Sequence, residues 1–235
     1  MQGEPKHIAV IGADGATGRE VVAQAAARGH RVRALERSWP EGAAPLPPGV
    51  ERATADVLEG DLAPAFAGCD AVVSAIGLGL SPQTVLAPPP LYTEGALNIL
   101  RGMQTAEVGR LVVISASFVA TRARGPMWFR LASGLALERV FTQMGEMERV
   151  LRASDGIDWT AVRPGWLMDG PLTADYTVAA DAIPPGMIRT RHADLAHFIV
   201  DCVETGGWVR QTPAIARREP PWASTPDKLL AELLR

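Results

Sequence analysis

The amino-acid sequence predicts an α/β fold, with a doubly wound, mostly parallel sheet flanked by helices and a small extension after about residue 165. Three observations predict it. Strand and helix signals alternate up to Arg163, the pattern of successive crossover units. The segments Ala71–Ile76 and Leu111–Ile114 are almost uniformly apolar, as expected of strands covered on both faces. A glycine-rich turn, Gly12–Gly18, joins the first strand segment to the first helix.

Taken in order, Ile8–Ile11 is a short apolar run ending at glycine and reads as a buried first strand. A helix over Thr17–Arg28 places Val21, Val22 and Ala25 on one side and stops at Gly29, a residue suited to the C′ position. Arg31–Leu35 reads as the second strand, Val50–Ala53 as a weaker third, Ala71–Ile76 as the fourth, Leu111–Ile114 as the fifth and Trp159–Val162 as the sixth. Helices fit between them at Asp61–Ala67, Leu91–Met103 and Leu137–Ala153. Beyond Arg163 the prolines Pro164, Pro171, Pro184 and Pro185 break the chain into short segments. Thr190 is suited to cap a helix over Arg191–Val203, and Thr225-Pro226 to start a last one. Pro40–Pro48, Pro88–Pro90 and Pro213–Pro221 read as surface loops. With no internal repeat, residues 1–235 read as one domain.

Composition narrows the function classes. A hydrophobic content of 47% and a charged content of 21% describe an ordinary globular chain. A formal charge of -3 argues against a nucleic-acid partner, which needs a basic face. Cys69 and Cys202 sit in apolar contexts and read as buried thiols, not a disulfide or a zinc site. His192 and His197 are spaced five apart, which does not favour a shared metal, so none is expected. Met1–His7 is polar and runs straight into a strand, so no signal peptide is expected. No apolar stretch approaches the roughly 20 residues that span a bilayer. The expected setting is the cytoplasm, without a membrane partner.

The strongest chemical signal is Gly12-Ala13-Asp14-Gly15-Ala16-Thr17-Gly18. Glycines permit a tight turn and close approach of backbone to a pyrophosphate, and the N–H groups that open the helix favour that anion. In this strand–turn–helix setting the turn predicts a Rossmann-type dinucleotide site. Its GxxGxxG spacing differs from GxGxxG and matches short-chain dehydrogenases. Glu36 stands where an acidic residue takes the adenosine ribose hydroxyls of NAD. Arg37 and Ser38 follow at once and suit a 2′-phosphate. The two signals conflict; NADP(H) is favoured and NAD(H) is compatible. Asp56-Val57 is placed to meet the adenine edge, and Ala75-Ile76-Gly77 to pass under ribose and pyrophosphate.

The chain resembles the atypical short-chain dehydrogenases, in the NAD(P)H-binding group of the biliverdin-IXβ and flavin reductases. The resemblance rests on the glycine turn, Leu35-Glu36-Arg37, Ala55–Leu58 and Glu94–Ile99. It continues through Val112–Phe118, Val150–Ser154, Pro171–Val178 and Asp194–Phe198. It implies hydride transfer from NADPH to flavins or linear tetrapyrroles and leans towards a monomer or weak homodimer; Ser115, Pro164 and Gly165 are further candidates for cofactor contact. Two departures stand out. Asp14 replaces the group's usual threonine, and Gly165-Trp166 replaces a ring-bearing residue after the sixth strand.

Ordinary short-chain dehydrogenases use a serine and a tyrosine whose pKa is lowered by a lysine four residues later. Here the tyrosine slot falls at Val140 and the lysine slot at Met144. The only tyrosines, Tyr92 and Tyr176, have no lysine partner, since Lys6 and Lys228 are the only lysines. Alcohol dehydrogenation by the usual triad is excluded by inventory. Hydride transfer to a flavin or quinone remains, because such an acceptor collects its proton from water. Ser117, or Ser115 if the register slips, occupies the serine slot and is the candidate catalytic residue, either as a hydrogen-bond donor to that acceptor or as a strand-end serine that satisfies local backbone. Trp166, Met168, Trp128 and Phe129 are candidates to wall a small-molecule pocket, and Met127–Leu137 for a lid or partner helix. A non-catalytic NADP-binding sensor and an isomerase with Asp169 as base are the competing readings.

Overall fold

The computed structural model describes residues 4–78, 84, 87–121, 127–225 and 228, with backbone alone at 121, over 127–137 and at 221. Six parallel strands assemble first around β1 (His7–Ile11), which is buried along its whole length. On one side of it lie β2 (Arg31–Glu36) and β3 (Glu51–Thr54). On the other lie β4 (Ala71–Ser74), β5 (Arg110–Ile114) and β6 (Asp158–Pro164). Two strands not expected from the sequence extend the sheet, β10 (Pro213–Ala216) parallel to β6 and β8 (Thr177–Ala180) antiparallel to β10. The full order is β3-β2-β1-β4-β5-β6-β10-β8. A separate parallel pair joins β7 (Trp166–Met168) to β9 (Arg189–Arg191).

Helices cover both faces. On one, α1 (Ala16–Ala27) and α6 (His192–Thr205) bury Val21, Val22 and Ala25 against Leu195, Ile199 and Val203. On the other lie α2 (Ala63–Phe66), α3 (Glu94–Thr105) and α5 (Met127–Ala153), preceded by the single turn α4 (Phe118–Thr121). Leu62, Phe66, Ile99, Met103, Met144 and Leu151 fill that second core. α1 ends as expected. Gly29 takes φ +86, its N–H donates to the Ala26 carbonyl, and that of His30 donates to the Ala25 carbonyl, a Schellman closure.

Two expectations are corrected. Pro213–Ala216 is a buried strand, not a loop. Proline is tolerated there because it is the first strand residue, and the following Ala-Ile-Ala is wholly buried. Thr190 does not cap α6; it belongs to β9, where its hydroxyl donates to the Ile215 carbonyl and accepts from the Gly165 N–H. The α6 N-cap is Arg191, whose side chain makes no capping bond and pairs with Glu219 instead. The helix expected from Thr225-Pro226 lies largely outside the described residues.

The chain moves outward from β1 to β2 and β3, then returns to β4 on the opposite side of β1. That reversal opens a crevice at the carboxyl ends of β1 and β4, where open α/β sheets take ligands.

Candidate functional site

The glycine turn sits in that crevice. Gly12 takes φ +74, and a Cβ there would lie 2.9 Å from the Ala75 carbonyl oxygen. A Cβ at Gly18 would lie 1.9 Å from the Gly12 oxygen, so α1 packs directly on the turn. These two glycines are required by the fold itself. Gly15 differs: its φ is -69°, and a Cβ would meet only the Gly12 oxygen, at 3.3 Å. The protein leaves the space over Gly15 open, and a pyrophosphate fits that cradle.

The turn is tied to β2. The N–H groups of Gly12 and Ala13 both donate to the Leu35 carbonyl, at 3.0 and 3.3 Å, and that of Asp14 donates to Glu36 Oε1 at 2.7 Å. The Asp14 carboxylate turns outward and pairs with Arg19 at 2.9 Å. α1 begins at an N-cap, Gly15, that offers no side-chain acceptor, and no acidic residue lies in its first turn. The opening N–H groups, carried by Ala16, Thr17 and Gly18, have no intrahelical partner, which suits them to hold an anion. Thr17 Oγ1 lies 2.8 Å from Nδ1 of His192, the first residue of α6. Two helix N-termini therefore meet beside the turn. His192, at the N-terminal end of α6, belongs to the site's surroundings, a place that its spacing from His197 did not mark.

The ends of β2, β3 and β4 carry the residues expected on the adenosine side. Arg37 and Ser38 are exposed where β2 ends, with Glu36 folded back on the turn. Asp56 Oδ1 accepts from the Leu58 N–H at 2.9 Å, which shapes the loop after β3. Val57 is buried against Gly95. Ala75 is buried, Ile76 half-buried and Gly77 exposed along the floor beyond β4.

At the end of β5 the polar groups turn inward. Ser115 Oγ donates to Glu148 Oε1 at 2.8 Å, and Arg163 grips the same carboxylate through Nε and Nη2 at 2.8 and 2.6 Å. Ser117 is fully buried and its hydroxyl donates to the Arg163 carbonyl at 2.8 Å. Its N–H donates to the Pro164 carbonyl at 2.9 Å. The geometry thus places Ser117 as a clamp between the ends of β5 and β6, with its hydroxyl engaged on backbone. Val140 and Met144, in the tyrosine and lysine slots, are both buried in the core. Glu148 continues the same α5 face one turn on, and nothing in the sequence pattern marked it.

Beyond the ends of β5 and β6 the side chains are aromatic. Phe118 stacks tilted against Phe141 at 5.4 Å and meets Trp166 edge-on at 6.4 Å. Phe118 and Phe141 were not singled out from the sequence, although Phe118 directly follows Ser117. Trp166 N–H donates to the Ile188 carbonyl, and a Cβ at Gly165 would lie 2.6 Å from that oxygen, so β7 runs tight against β9. Met168 is half-buried on β7. The side chains of Trp128 and Phe129 lie outside the described residues, and Met127–Leu137 is continuous backbone helix with the rest of α5. Among the described residues no helix is long and apolar enough to cross a membrane.

Known proteins similar to this chain share its fold. A family profile described as NAD(P)H-binding matches residues 12–206. A Bacillus subtilis protein named an uncharacterized sugar epimerase is 28% identical over 179 residues, 73% of this chain and 77% of that one. Among solved structures, a Streptococcus pneumoniae protein described as a candidate NADH-flavin reductase matches with a TM-score of 0.71 at 23% identity, covering 91% of this chain and 100% of the other. A Veillonella parvula short-chain dehydrogenase/reductase solved with NADP matches with a TM-score of 0.72 at 16% identity, covering 92% and 95%. At these identities the two structures show the Rossmann-like fold.

Proposed function

Because the chain belongs to the NAD(P)H-binding family, we propose that it is a reductase passing hydride from NADPH to a flat conjugated acceptor of the flavin, quinone or tetrapyrrole class. The observation that carries this reading is the α5 face beside the site. Where a tyrosine and a lysine would relay a proton, Val140 and Met144 are buried in the core. A site with no such relay suits an acceptor that takes its proton from water, leaving the protein to bind and orient.

A reduced nicotinamide, when bound, supplies the hydride. The residues suited to hold its dinucleotide are Gly12, Gly15, Ala16, Thr17 and Gly18 around the pyrophosphate, where the α1 dipole and open N–H groups favour negative charge. Arg37 and Ser38, exposed at the end of β2, suit the 2′-phosphate of NADPH. One oxygen of Glu36 is engaged by the turn, which weakens its claim on the ribose and supports NADPH over NADH. The corner of Phe118, Phe141 and Trp166 offers faces and edges against which a flat acceptor packs.

The test is a direct NADPH titration, followed by NADPH oxidation with FMN, a simple quinone and biliverdin as acceptors. Binding with turnover of any of the three is the expected result. Tight binding without turnover would overturn the reductase and favour a cofactor sensor. No binding would overturn the dinucleotide site itself.

A further inference from the structure

A second cleft, of about 290 Å³, lies between the start of β6, the start of β10 and the end of β8. It is remote from the glycine turn. The parallel strands place that turn at their carboxyl edge and this cleft at their amino edge, and β6 alone spans roughly 20 Å. Its walls include Trp159, Trp208, Arg152, Arg210, Asp181 and Thr212.

Three features separate this cleft from an ordinary surface groove. The first is its backbone. Asp181, Trp208 and Arg210 take φ of 63, 59 and 56°, three of the five non-glycine residues with positive φ among those described. That conformation is unfavourable for side chains of this bulk, and such residues cluster at binding sites, where surrounding bonds hold them. Here the Arg210 N–H donates to the Trp159 carbonyl at 2.6 Å, and the Asp181 N–H donates to the Thr212 carbonyl at 3.2 Å.

The second feature is charge. Among the described residues, Arg152 uses only Nη2, on Glu148, and Arg210 only Nη2, on the carbonyls of Arg152 and Ser154. Each guanidinium keeps Nε and Nη1 for solvent or a ligand. The one carboxylate on the wall, Asp181, accepts from the Thr212 hydroxyl and lies 3.7 Å from Arg163 Nη1, so its charge is partly answered from within. The third feature is Trp159, which is buried and whose indole N–H finds no acceptor among the described residues.

We propose that this cleft binds a small anion bearing a carboxylate or a phosphate, held by Arg152 and Arg210. Its volume falls at the low end of ligand pockets, which suits a molecule of metabolite size rather than a second dinucleotide. Guanidinium forks recognise both anion types, so two probes separate them.

The experiment follows the indole ¹⁵N–¹H signals of the full chain during titration with inorganic phosphate and, separately, malate, against sodium chloride of equal ionic strength. Trp159→Phe and Trp208→Phe assign the two signals. The expected result is saturable movement of both with at least one probe. Arg210→Gln should weaken it by about tenfold or more, the loss of one charge-assisted bond. Arg152→Gln should show the same loss, and it serves if removing Arg210 disturbs the carbonyls that residue ties. Gly15→Val closes the pyrophosphate cradle and should leave this binding unchanged. The proposal is overturned if neither probe exceeds chloride at tens of millimolar, or if the binding disappears in Gly15→Val and persists in both arginine variants.

Discussion

At the scale of single residues, the glycine turn separates fold from function. Gly18 has no room for a methyl group, so Gly18→Ala should lower unfolding free energy by about 3 kcal/mol or more through overpacking. Gly15 has nearly enough room, so Gly15→Val should cost only about 1 kcal/mol as a poorer N-cap. The same change should weaken NADPH on the order of 100-fold, because the side chain occupies the place of the pyrophosphate. Urea unfolding and a fluorescence titration on both variants check the pair, and native NADPH affinity in Gly15→Val would remove the turn from the site. Arg37→Ala should weaken NADPH about tenfold or more while sparing NADH, as loss of a guanidinium–phosphate contact requires. Equal losses would mean that Arg37 stacks on adenine and does not read the phosphate. The turn was legible in the sequence because glycine spacing is a local signal. Two neighbours were not. A single glutamate at position 36 reads the same whether it faces a ribose or the Asp14 amide. His192 meets Thr17 only because α6 packs alongside α1, which no local pattern encodes.

At the scale of elements, the buried Glu148–Arg163 pair fastens α5 to the ends of β5 and β6. Both carboxylate oxygens are gripped, Ser115 adds a third bond, and Arg163 Nη1 reaches on to the Asp181 carbonyl. Removing one partner of such a pair leaves a buried charge, so Glu148→Ala should cost about 3–5 kcal/mol. The double change Glu148→Met with Arg163→Met should recover much of that loss in denaturant unfolding, since neither charge then remains to be desolvated. If the double variant is as unstable as the single one, packing and not charge explains the loss. Strands β1, β4 and β5 were legible in sequence because each is a short, almost uniformly apolar run, whereas β3, polar and largely exposed, gave the weaker signal. Strands β7 to β10 were not legible. Arg189–Arg191 is three polar residues whose place depends on Trp166–Met168 across the chain, and Pro213–Ala216 depends on β6 and β8. The segment 171–176 is likewise set at a distance: Asp194, buried at the start of α6, accepts from the N–H groups of Thr173 and Ala174. Long-range pairing decides these elements, and composition nearby does not.

For the whole molecule, stability should form a plateau bounded by two kinds of titratable group whose pKa the fold shifts. The acid limit comes from the brace between the far ends of α1 and α6. The Lys6 N–H donates to His30 Nδ1, so the ring proton sits on Nε2 and is donated to Glu204 Oε1 at 2.9 Å, while Arg28 holds Oε2 at 2.8 Å. Burial acts to raise the Glu204 pKa, but the His30 and Arg28 bonds together outweigh it and hold the carboxyl below its ordinary value. A depressed pKa contributes stability that is present above the unfolded value, about 4.3, and is lost as pH falls through the folded one. Glu204→Gln should therefore flatten the acid arm and leave the alkaline arm intact. That second arm has the opposite sign. Burial pushes the Cys202 thiol up to about 12 against the pull of Arg110, raises Cys69 as well, and lifts Tyr92 to about 12. A raised pKa contributes stability that is complete below the unfolded value, about 8.5 for a thiol and 10 for a phenol, and declines as pH rises toward the folded one. Unfolding free energy should hold steady from about pH 5 to 8 and fall above about pH 9. Cys202→Ala removes one of these groups, so its unfolding free energy should fall less steeply than the native protein's between about pH 8.5 and 11. Parallel slopes in that window would mean that Cys202 titrates normally and that its surroundings admit water.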